Sequence, residues 1–94
     1  MLLPSRTAVL NQMYDQREID VAQIMAELAP QYGQEKQFNE AMYLEHMMAL
    51  EANGMVELAT YDLDEHDKLV IYYRITDEGR ATVDKYVDKK YRLV

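Results

Sequence analysis

The sequence predicts one α+β domain, mainly α: a three-helix core, a β-hairpin, and a closing C-terminal helix. Three observations predict it. Leu44, Met47 and Leu50 recur at helical steps, with Ala41 and Met48 beside them, so a long helix with one apolar face is expected. Asn53-Gly54 then stops that helix, because Asn and Gly accept the left-handed conformation that a helix end needs. Two alternating stretches follow, MVELATYD and LVIYYRIT, and they read as an antiparallel pair spanning about residues 55–75.

Taken in order, Pro4 and Ser5 mark the first helix start, with Ser5 as the cap, and the helix is expected over residues 6–15. Ala8, Val9, Leu10 and Met13 turn inward. Gln16 to Ile19 breaks the pattern. Asp20 caps a second helix, with Gln23 completing a capping box. That helix should bury Val21, Ile24, Met25 and Leu28 and stop at Ala29-Pro30, since the residue before proline is pushed out of the α region. Gln31 to Gly33 reads as a turn, and Phe38 as a plug between the second and third helices.

In the hairpin, Val56 and Leu58 are expected to point inward from the first strand. Leu69, Ile71, Tyr73 and Ile75 are expected to do so from the second. Thr76 caps the last helix, over about residues 77–92. Asp77 and Glu78 suit its positive end, and Lys89, Lys90 and Arg92 suit its negative end. Its stripe of Val83, Tyr86, Val87 and Tyr91 either closes the core over the first helix or forms a dimer seam; both can hold at once.

Composition bounds the function. At 94 residues the chain fits one domain with a single modest core. No cysteine is present, which excludes disulfides, thiolate metal sites and a cysteine nucleophile and fits a reducing cytoplasm. MLLPSR is too short an apolar run for a signal peptide, and no stretch approaches the ~20 apolar residues of a membrane span. A soluble cytoplasmic protein with no membrane partner is expected. Seven Met and eight Tyr beside one Phe and no Trp point to an adaptable core or to a partner-binding surface.

Catalysis has little to stand on. Ser5 is the sole serine and reads as a cap, and neither a nucleophile elbow nor a phosphate-cradling glycine loop is present. No enzyme, cofactor or metal site is expected. The acidic run from Asp62 to Lys68 reads as a solvated hairpin tip rather than a cation loop. It lacks the glycine and distal Glu of an EF-hand. His46 reads as an ordinary surface histidine.

Two strings carry a family resemblance. Leu50-Glu51-Ala52-Asn53-Gly54-Met55-Val56 resembles the "LExxGLV" turn that leads from the third helix into the wing of PadR-like and MarR-like regulators. Tyr73-Arg74-Ile75-Thr76-Asp77-Glu78-Gly79-Arg80 resembles the "YRLTxxGR" string that leads out of it. The resemblance covers about residues 39–87 and implies a winged helix-turn-helix, with the hairpin as the wing and Ile19 as a candidate for a very short strand added to it, binding duplex DNA as a homodimer. By position it implies groove contacts from Asn39, Glu40, Tyr43 and His46, with Gln34, Lys36 and Gln37 just before them and Lys68 and Arg74 on the wing. It implies subunit pairing through Val83, Tyr86, Val87 and Tyr91.

The charge pattern departs from that family. Residues 1–73 carry four cations against thirteen acids, and residues 74–94 six against four. The third helix has no Lys or Arg but holds Glu40, Glu45 and Glu51, whereas DNA interfaces draw their phosphate contacts largely from Arg and Lys. Two functions follow as expectations. One is a small DNA-binding transcriptional regulator or accessory factor. The alternative is a winged helix repurposed as an acidic module that docks a basic protein partner.

Overall fold

The computed structural model describes residues 2–87. Its elements run α1 (Ser5–Gln12), α2 (Val21–Tyr32), α3 (Glu40–Ala52), β1 (Val56–Leu63), β2 (Leu69–Ile75) and α4 (Asp77–Tyr86). The helices pack around one core, and β1 and β2 form an antiparallel hairpin that projects from it. At the coarse level this is the α+β class the sequence predicts. The last helix ends short of the expected residue 92. Lys89, Lys90, Tyr91 and Arg92 lie outside the described residues.

Local chemistry sets most boundaries. Asp20 caps α2 by accepting from Gln23 N–H at 2.8 Å. The Gln23 side-chain amide donates to Glu27 at 3.3 Å. Ser5 is the first residue of α1 rather than its cap. Pro4 holds the cap position and makes no side-chain cap hydrogen bond, and Ser5 Oγ faces Glu35.

The end of α3 is a Schellman motif. Gly54 N–H donates to Glu51 O at 3.0 Å and Met55 N–H to Leu50 O at 2.9 Å, with Gly54 at φ 76°. Only glycine takes that φ at little cost, so the chain can turn at once into β1.

The helix start of α4 is tied to this turn. Thr76 Oγ1 accepts from Gly79 N–H at 3.0 Å and donates to Gly54 O at 2.6 Å. Thr76 N–H also donates to Met55 O at 3.0 Å. One side chain therefore caps a helix and fastens it to the preceding glycine turn. Thr76→Ala is expected to lower unfolding free energy by about 1–2 kcal/mol, read from chemical denaturation midpoints at unchanged slope.

Helix α2 outruns its expected stop. Pro30 sits inside its last turn, and the helix continues to Tyr32. The reason is tertiary: Tyr32 is buried and its hydroxyl donates to Leu3 O at 2.6 Å, so packing overrides the local proline preference. Tyr32, expected in a turn, belongs to the core.

The hairpin base enters the core through Val56, Tyr73 and Ile75, while Ile71 packs at its edge. Ile19 completes the base as the expected short strand, pairing antiparallel with Tyr73. Leu58 and Leu69, expected inward, are exposed. The hairpin is longer than the helical layer it leaves, so its distal half has no core to meet. A bulge between Leu58 and Thr60 leaves Ala59 unpaired and breaks the inward alternation.

Candidate interaction surface

The site is set by how α3 is rotated. Its buried residues are Tyr43, His46, Met47 and Leu50, at the i, i+3, i+4, i+7 spacing of one face. Leu44 and Met48, expected inside, are 40% and 56% exposed. The helix is apolar almost all round, from Ala41 and Met42 through Met47 and Met48 to Ala52. Periodicity alone had little to choose between neighbouring faces. Tyr43 settles the choice: its ring meets Phe38 edge-on at 5.1 Å and His46 at 5.3 Å, filling the space between α1, α2 and α3.

This rotation corrects two groove residues. Tyr43 and His46 point into the protein, not toward a ligand on the outer face. His46 is also not the surface histidine that was expected. It is 8% exposed, and Arg6 Nε donates to its Nδ1 at 3.1 Å, which fits a neutral imidazole. Burial first, and the Arg6 charge second, push its pKa below the ordinary value. No sequence signal marks this pair, because Arg6 stands forty positions away.

The remaining predicted contacts are scattered or already engaged. Gln34, Lys36 and Gln37 are exposed in the loop before α3. Asn39 is the N-cap of α3, its side chain accepting from Met42 N–H at 2.9 Å. Arg74 donates to Glu57 at 3.2 Å and to Glu18 at 3.4 Å. Lys68 Nζ lies 4.0 Å from Glu40. Both hairpin cations therefore lie beside carboxylates. In the proposed dimer stripe, Val83 and Val87 are buried in the core, Tyr86 is exposed, and Tyr91 lies outside the described residues. Core closure accounts for the two valines.

What the structure does bring together is acidic and apolar. The outer face of α3 presents Glu40, Leu44, Glu45, Met48 and Glu51. Beside it the hairpin exposes Leu58, Tyr61, Leu63 and Leu69. Of these, Leu58 and Leu69 were missed as surface, and the hairpin's length was the one signal that could have revealed them. At the tip, Asp64 is structural: its carboxylate accepts from His66 and Lys68 N–H at 2.8 and 2.9 Å. Among the described residues no group of three or more His, Cys, Asp or Glu is placed to hold a metal ion, and no helix is long and apolar enough to cross a membrane.

An open groove of about 370 Å³ runs between the start of α2, the start of α3 and the hairpin. Leu44, Leu69 and Ile71 give it apolar walls, and Asp20, Glu40 and Asp64 give it carboxylates against the single cation Lys68.

In comparisons with known proteins, the chain matches no family model, no curated protein and no solved structure.

Proposed function

We propose that this chain is a winged-helix domain serving as a protein-interaction module, with the acidic and apolar face of α3 and the hairpin docking a basic partner protein. The order of helices around the hairpin, the Ile19 bridge and the two strings entering and leaving the hairpin support the winged-helix reading. One observation carries the function. The helix that would enter a DNA groove exposes Glu40, Glu45 and Glu51 and no cation, and the hairpin's Lys68 and Arg74 already face carboxylates. Phosphates draw affinity from free Lys and Arg, so duplex DNA meets net repulsion here. A basic partner meets attraction, with Leu44, Met48 and Leu69 available for burial. A transcriptional regulator on duplex DNA is the rival reading, favoured by the same order of elements.

A mobility-shift assay with arbitrary duplex DNA at ~50 mM salt separates the two. The native chain is expected to show no retention. Glu40→Lys/Glu45→Lys changes two exposed positions, so the fold should stand, and it is expected to gain retention that falls steeply with added salt. Salt-sensitive retention of the native chain would overturn the proposal in favour of the regulator.

A further inference from the structure

We infer that the free edge of β2 takes up an extended, basic segment of the partner as an added β-strand. This rests on the protein-binding reading above and names its mode.

The argument begins with the ladder. One side of β2 pairs with β1. On its other side, among the described residues, Ile19 alone pairs with it. Ile19 N–H donates to Tyr73 O and Tyr73 N–H to Ile19 O, both at 2.9 Å. Backbone groups along a strand alternate between its two sides. Ile71 and Leu69 therefore aim their N–H and C=O toward the same side as Tyr73. There the chain has already left the ladder, because Asp20 caps α2 and carries it away. The bridge that Ile19 begins thus stops after one residue and leaves a row of strand edge unpaired. Such an edge is a template for another strand.

The surroundings choose the guest. The open edge borders the groove described above, so an added strand would lie along it. In strand addition the backbone supplies affinity and alternate side chains supply specificity. An added strand would run past Leu44, Leu69 and Ile71, which calls for Val, Ile or Leu, and past Asp20, Glu40 and Asp64, which calls for Lys or Arg. Lys68 does not reverse this balance, since it stands 4.0 Å from Glu40. A second copy of this chain is a poor guest: its own β2 edge would bring the same acids face to face. The geometry therefore points to a partner segment that carries both basic and aliphatic residues.

The test uses the full chain, isotope-labelled, and an end-blocked synthetic peptide of about eight residues alternating Lys with Val. Binding is expected to shift the Leu69 and Ile71 amides and slow their hydrogen exchange at least about tenfold. It should weaken roughly tenfold when salt rises from ~50 to ~300 mM. A peptide of the same charge, N-methylated at the residues that would pair, should bind at least about tenfold more weakly, because its backbone donors are gone. Equal binding by the methylated peptide, with shifts on Glu45 and Met48 instead, would overturn strand addition while leaving the protein-binding reading in place. Failure of the Lys–Val peptide to bind at ~1 mM would overturn strand addition too. If duplex DNA shifts the α3 amides and the peptide shifts none, both readings fall together.

Discussion

Gly79→Ala is expected to cost about 2–4 kcal/mol of stability, although alanine is the better helix former. Gly79 is the third residue of α4, and its N–H is the one that Thr76 caps. A Cβ there would fall inside the carbonyl oxygen of Met55 and 2.7 Å from Ile75 Cγ1. Neither can withdraw easily. Met55 O already accepts from Thr76 N–H, and Ile75 is buried at the hairpin base. The contact exists because Gly54 turns the chain so sharply that β1 starts directly beneath the start of α4. Relief would require lifting α4 off that turn, which breaks the Thr76 cap and opens the core around Val83. Intrinsic helix propensity favours alanine by only ~1 kcal/mol, so the steric loss wins. Urea unfolding should show a lower midpoint at unchanged slope. A loss under ~1 kcal/mol would mean that α4 does not rest on Met55 as described.

The features this substitution probes were readable before any coordinates. The glycine stop, the Thr76 cap and the Asp20 cap follow from chemistry confined to a few neighbouring residues, whereas the Ile19 bridge to distant Tyr73 was expected only from the family resemblance. What escaped reading depends on distant ones. The rotation of α3 was undecidable locally because apolar residues surround it, and Phe38 with the rest of the core chose Tyr43 over Leu44. The burial of His46 depends on Arg6, and the course of α2 past Pro30 depends on Tyr32 reaching Leu3. The same holds for function. The acids of α3 and the hairpin tip were plain in the sequence, and they argue against phosphate whichever face is buried. The apolar half of the surface was not plain, since Leu44 and Met48 read as core until the rotation of α3 was seen, and Leu58 and Leu69 until the hairpin was seen to overhang it. Asn39, offered to DNA by position, also caps its own helix.

Acidification is expected to weaken the fold through Glu27, and Glu27→Gln should remove that part of the pH dependence. Glu27 joins α2 to the α1–α2 connection. Arg17 donates to it through both terminal nitrogens, one at 2.5 Å, and Gln12 Nε2 donates at 2.8 Å. Arg17 is held in turn by Asp15 at 2.9 Å. The Arg17 hydrogen bonds above all, then those of Gln12 and Gln23, hold the Glu27 carboxyl at about 2 against an ordinary 4.5, while burial pushes the other way. The folded value lies below the unfolded one, so the unfolded chain takes up the proton first. Stability from this pair is therefore complete above about 4.5 and lost as pH falls toward about 2. The full shift corresponds to roughly 3 kcal/mol. Side-chain exposures of 32% for Arg17 and 24% for Glu27 admit solvent screening, which reduces the expected contribution to about 1–2 kcal/mol. At pH 7, Glu27→Gln should lower stability by that amount. Near pH 2 the native and variant chains should unfold at nearly the same denaturant concentration, because the native carboxyl is then about half protonated and most of its contribution is lost. A gap that persists unchanged to pH 2 would mean that Glu27 acts through packing rather than through its charge. Since the pair fixes the chain just before Ile19, its loss should also loosen the Ile19–Tyr73 bridge. Faster hydrogen exchange at Ile19 than at Ile75 in the variant is the local sign of that coupling.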